Sequence, residues 1–197
     1  MPEPRDLVAY VDEAMRATTT EEGRSIYVMA AVAVVVSDQL QARDTLAAAL
    51  QGRSSRFHWR LEQPARRRAM LDTIATLELP CLATTCSYAG GRKQPRARTL
   101  VLQRLLWELT QLGVRELVLE TREEGNDAKD RVSIAQAIRA GLAPEELLYS
   151  FNRPKFEPLL FAPDAVAGAV AAKLGEGEDQ YIRRLAEGQL RVIEMRD

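Results

Sequence analysis

Leu7-Val8-Ala9-Tyr10-Val11-Asp12-Glu13 is the stretch that decides how the chain begins to fold. Five apolar residues in a row are too few for a helix, and no polar residue alternates with them. That pattern predicts a fully buried central strand that stops at Asp12. After a polar loop, Thr18-Thr19-Thr20-Glu21-Glu22-Gly23, residues 26–36 are rich in valine and alanine and predict a second buried strand. The loop makes the two a wide antiparallel hairpin.

Ser37 stands as the N-cap of a predicted helix over 38–50, and Pro64 opens another to about residue 77. Residues 79–88 predict a third strand, broken by Gly90-Gly91. Leu102, Leu105, Leu106 and Leu109 give residues 96–112 one apolar face, and Gly113 is placed to end that helix. A strand over 114–120 follows. Asn126 or Asp127 is placed to cap a helix running to Ala140 and Gly141. Residues 147–151 predict a short strand, 158–163 a loop, and Asp164 the start of a helix to 174. The order β-β-α-α-β-α-β-α-β-α-α predicts an α/β fold: a mixed sheet of about five strands flanked by helices. Residues 1–175 read as one domain. Residues 176–197 read as a linker and a C-terminal helix, over about 180–190, packed on or extending it.

The chain has 197 residues, 46% of them hydrophobic, enough for one sizeable core. Its charged, proline-bearing first residues do not resemble a signal peptide. Its longest apolar run, 26–36, falls short of the roughly 20 residues a membrane span needs. The expectation is a soluble, cytoplasmic protein without a membrane partner. Cys81 and Cys86 lie five apart on a predicted strand, hence on opposite faces, and read as core thiols. With one histidine they are too few for a tetrahedral zinc site.

Net charge is −1, but its distribution is uneven. Between Gln51 and Arg104 stand eleven basic residues and three acids, Glu62, Asp72 and Glu78, a net of +8 against −9 elsewhere. Such asymmetry fits a polyanion-binding face beside an acidic pocket; it also fits a solvated surface in an arginine-rich chain. On the first reading Arg53, Arg56, Arg60, Arg66, Arg92, Lys93, Arg96 and Arg98 would contact RNA or DNA.

Acids at element ends carry the chemical expectation. Asp12 closes the first strand, Glu120 closes the strand over 114–120, and Asp164 opens a helix. Residues just past strand ends converge at one edge of an open sheet. Three carboxylates there would repel one another, and one or two Mg²⁺ or Mn²⁺ ions would relieve that repulsion and activate a water against a phosphodiester. Each acid has a plainer alternative: a strand terminus for Asp12, a pair with Arg122 for Glu120, a helix cap for Asp164. Glu13 points to the other face if the strand continues, as an outer acid or cap partner. Asp127 and Asp130 share a helix face, where an extra ligand or a capping and salt-bridge role can be accommodated. Arg122 is placed to clamp a phosphate or to neutralise Glu120. His58, between Phe57 and Trp59, reads as a general acid/base, a base-stacking element or part of an aromatic plug.

The opening Ala9-Tyr10-Val11-Asp12-Glu13, the strand Tyr27-Val28-Met29-Ala30-Ala31-Val32, Phe57-His58, Val118-Leu119-Glu120 and Pro163-Asp164-Ala165-Val166-Ala167-Gly168 together resemble the family called domain of unknown function thirty-eight hundred, over about residues 7–173. The resemblance implies a ribonuclease-H-like fold and a metal-dependent nuclease activity. Two positions depart from it: Ala14 where the family has serine, and Pro163 where it has alanine. The rival expectation is a domain that kept this fold, lost the chemistry and docks a protein partner or a second copy of itself.

Overall fold

An N-terminal hairpin forms the middle of a six-stranded sheet. The computed structural model describes residues 6–16, 24–50, 56–89, 93–122 and 124–196. β1 (Leu7–Arg16) lies antiparallel to β2 (Arg24–Val35), with Leu7 opposite Val35 and Arg16 opposite Ile26. β1 therefore runs past Asp12, because the longer β2 supplies hydrogen-bond partners to its end. α1 (Gln39–Ala48) and α2 (Pro64–Thr76) lead to β3 (Cys81–Ala89), antiparallel to β2. α3 (Gln94–Gln111) crosses to β4 (Glu116–Glu120), parallel to β1, and α4 (Glu124–Arg139) crosses to β5 (Leu148–Asn152), parallel to β4. α5 (Phe161–Glu176) precedes β6 (Leu190–Arg196), parallel to β3. The order across the sheet is β5-β4-β1-β2-β3-β6.

The two-residue period of a strand sorts the core. Val8 and Tyr10 of β1 pack on one side with α1, α2 and α5; Ala9 and Val11 pack on the other with α3 and α4. Cys81 and Cys86 fall in opposite cores as free thiols. α5 is buried continuously from Phe161 to Ala172. Its many alanines let it lie close on β1 and β2. Among the described residues, Pro158–Glu176, rather than 26–36, is the helical stretch long and apolar enough to cross a membrane by length and composition, and most of it is buried inside the protein.

The C-terminal segment differs from expectation. Residues 180–190 contain only a 3-10 turn, Ile182–Arg184, and Gly188 takes a φ of 79° that ends any helical course. Beyond it Leu190 and Val192 face one core and Ile193 and Met195 the other, so the alternation belongs to a sixth strand. α5 also starts earlier than expected. Pro163 fits its first turn, where the N–H it lacks would have had no partner.

Candidate active site

The last paired residues of β1 and β4 are Val11 and Leu119. One further step in that register sets Asp12 beside Glu120, both on the side of the sheet that carries Val8, Tyr10 and Val118 beneath α5. Asp164, in the first turn of α5, is buried above them. The three acids line one cavity of about 230 Å³ with His58, Trp59 and Gly168. The three acids named from sequence thus do converge, although only Glu120 ends its element: Asp12 lies within β1, and Asp164 lies inside its helix and does not cap it.

The electrostatics follow from that crowding. Burial holds the Asp12 carboxyl well above the usual carboxylate range, and the charges of Glu120 and Asp164 push it further. A side-chain hydrogen bond between Asp12 and Glu120 adds to the rise at Asp12. Burial, with Asp164, raises Glu120 too, while that bond and His58 oppose the rise. The Glu13 N–H donates to Asp12 Oδ1 at 2.7 Å, fixing the carboxyl from behind.

Asp164 is held by the loop before α2. Its Oδ2 accepts the Trp59 backbone N–H at 2.9 Å and lies 3.5 Å from His58 Nδ1. That hydrogen bond is the main reason the imidazole titrates above its ordinary value. The Trp59 ring rests on Gly168, one turn along: a Cβ there would sit 2.1 Å from Trp59 Cγ. Tyr181 meets the ring edge-on at 4.9 Å, and the Arg67 guanidinium lies 4.8 Å from its centre. The Asp-x-x-x-Gly spacing on α5 is therefore a seat for Trp59, and the aromatic plug and the acid share one anchor. Sequence reading overlooked Trp59 and Gly168 as positioning residues, although an aromatic beside the lone histidine was a usable signal.

Glu13 turns to the other face, where it pairs with Arg98 and, at 3.0 Å, with Arg122. Arg98 also grips Asp130 through two nitrogens, at 2.7 and 2.5 Å, and donates to the Tyr27 hydroxyl. Arg98 is thus a buried member of an ion network and not a surface contact for a polyanion; its burial lowers its pKa. Asp127 accepts the Thr121 hydroxyl at 2.5 Å and the Arg122 N–H at 2.9 Å, so it braces the β4–α4 turn away from the carboxylate cluster. Arg122 faces Glu13 and Asp130, not Glu120, while its side chain still borders the cavity.

The remaining basic positions scatter. Arg60 donates to the Met15 carbonyl at 2.6 Å beside the cavity, and Arg66 pairs with Glu62 at 3.2 Å. Arg56 and Arg66 border a second, larger cavity that also reaches Glu120 and Asp164. Lys93 and Arg96 lie exposed around the start of α3. Arg53 and Arg92 lie outside the described residues. Arg153 and Lys155, which the sequence reading did not single out, complete the rim of the larger cavity.

No family model matches the chain, and no curated protein matches it. Two solved structures share its fold. Ribonuclease HII of Archaeoglobus fulgidus, determined in complex with PCNA, superposes with a TM-score of 0.53 over 90% of this chain and 85% of that one, at 15% identity. A mutant of Bst-RNase HIII gives 0.51 over 86% of this chain and 53% of that one, at 9% identity. The chain has a ribonuclease-H-like fold, with six strands where five were expected.

Among the described residues, no three His, Cys, Asp or Glu side chains stand ready-made around an ion position. Asp12 and Glu120 nonetheless offer adjacent hard oxygens, both carboxyls raised above their ordinary values by burial. Mg²⁺ keeps several waters and takes one or two carboxylates, so the pair fits such an ion. Asp164 would join only by giving up part of its hold on Trp59 and His58.

Proposed function

We propose that this protein is a metal-dependent phosphodiesterase acting on nucleic acid, with Asp12 and Glu120 holding Mg²⁺ or Mn²⁺ and Asp164 closing the site. The observation that carries the reading is the convergence of Asp12, Glu120 and Asp164 on one cavity of about 230 Å³. A bound divalent ion would supply charge neutralisation and an activated water. His58, braced by Asp164, sits at the cavity edge where it can hold or deliver a proton near a leaving oxygen. Arg122 at the same edge is positioned to meet a phosphate, and the exposed arginines of the 56–66 segment would steer a polyanion. The two free thiols are in keeping with a reducing, cytoplasmic setting.

The ribonuclease-H-like fold supports this chemistry; the expected membership of domain of unknown function thirty-eight hundred is not borne out, since no family model matches the chain. The second reading, a binding domain without catalysis, is favoured by one observation: Asp164 is occupied by Trp59 and His58. The experiment is a cleavage assay on labelled RNA and DNA with Mn²⁺ or Mg²⁺, beside Asp12→Asn. Metal-dependent cleavage that falls to background in a folded Asp12→Asn protein is expected, with a Mn²⁺-induced rise in Tm that the variant lacks. Undiminished cleavage by that variant would sink the assignment. No cleavage and no Mn²⁺ shift would establish the binding domain.

A further inference from the structure

From the carboxylates a groove of about 780 Å³ runs out between two segments, the stretch 56–66 on one side and the turn Arg153-Pro154-Lys155 on the other, with Phe156 the next residue beyond its lining. Its lining carries five cationic side chains against three carboxylates, and two of those three, Glu120 and Asp164, are the floor already described. The second wall is built to keep its shape. The Phe156 N–H donates to the Arg153 carbonyl at 2.8 Å, closing the turn. The next residue, Glu157, is buried and bound by the Arg43 guanidinium at 2.8 Å, while its carboxylate also accepts the Leu159 N–H. The turn is thus pinned to α1, yet it holds Phe156 68% exposed, with the Lys155 ammonium 5.3 Å from the ring. A phenylalanine fixed in water beside cations does nothing for the core. Across the groove Leu61 is 80% exposed as well.

We propose that this groove binds a single strand of nucleic acid, its phosphates on Arg153 and Lys155 and a base stacked on Phe156, and delivers it to the carboxylates. This deepens, and rests on, the reading of the site as a phosphodiesterase. Cations along a groove with an exposed aromatic beside them are the means by which proteins hold single strands without reading sequence. The exposed ring can stack only on a base that is free of its partner, which favours a single strand over a duplex.

The test measures binding and not chemistry. Asp12→Asn protein, silent in cleavage, is titrated against a fluorescent oligothymidylate of about ten nucleotides, a usual single-strand site size. The same oligomer annealed to its complement is the duplex probe. The single strand is expected to bind more tightly. Adding Phe156→Ala should weaken it about tenfold, the loss of one stacked base, with Tm unchanged because the ring is exposed. Adding Arg153→Gln or Lys155→Gln should each flatten the log–log salt dependence by about 0.7. Equal or tighter duplex binding, or affinity indifferent to Phe156 and Lys155, would overturn the inference while leaving the cleavage result untouched. Binding as expected with a wild-type protein that never cleaves would keep the groove and remove the chemistry.

Discussion

Adjacent residues of β1 enter opposite electrostatic settings. On the α3–α4 side, Glu13 meets Arg98 and Arg122, and Asp130 closes the set, so two acids and two guanidinium groups neutralise one another within the protein. On the α5 side, Asp12 meets Glu120 and Asp164. The cationic groups that relieve it are His58, held at Asp164, and Arg98, acting on Asp12 through the sheet. Both faces draw charge out of water, which is costly unless it is matched. One face supplies its own match and is complete. The other is left with surplus negative charge at a cavity open to solvent, the condition expected of a site that awaits a cation. Strand alternation alone separates the ion-paired Glu13 from Asp12 at the acidic cavity.

That contrast can be attacked from both sides. The largest effect is expected from Asp130→Ala, which strips Arg98 and Arg122 of a partner only 2% exposed. Breaking a buried pair costs about 3–5 kcal/mol, a fall of roughly 10 °C in Tm for a chain of this size. Urea denaturation that shows less than about 1 kcal/mol would mean the network does not neutralise its face. Gly168→Ala comes next. The new methyl overlaps the Trp59 ring, so the loop holding His58 must lift, at about 1–3 kcal/mol. Near-ultraviolet circular dichroism should lose its tryptophan fine structure; an unchanged spectrum would show that the seat on α5 is not tight. The smallest effect has the opposite sign. In chelator, Asp12→Asn should raise Tm by a few degrees at pH 8. The folded chain holds that carboxyl's proton above the ordinary aspartate value of 3.8, so the wild-type penalty is absent below 3.8 and grows as pH rises through the folded value. The gain should therefore fade toward pH 4, and a gain equal at every pH would point to packing instead of charge.

The hairpin was legible because uninterrupted apolar runs of strand length admit few other readings, and the glycines after α3 and α4 do adopt the left-handed conformation expected of them, with φ of 82° and 70°. β6 was hidden because its alternation is short and gains meaning only once β3 offers an edge. Of the three acids only Glu120 ends its element, and the convergence was legible because β1 and β4 are neighbouring parallel strands that bring Asp12 and Glu120 to one level of the sheet. What each acid touches was not. Arg98 sits in a basic stretch that looks like surface, yet its partners are Glu13 and Asp130, which are distant in sequence and brought to it only by tertiary packing. Arg153 and Lys155 were invisible for a related reason: two cations in a turn carry no signal until a groove lies beside them.

The place of α5 in the chain also sets an order of assembly during synthesis. Asp12 leaves the ribosome first, Glu120 much later and Asp164 later still. α5 is at once the bearer of the last acid, the seat of Trp59 and the buried spine of one core. A nascent chain that ends before it holds β1 with half its packing missing and no third carboxylate. The acidic cavity therefore lacks its third carboxylate, and the seat of Trp59, until α5 has been made.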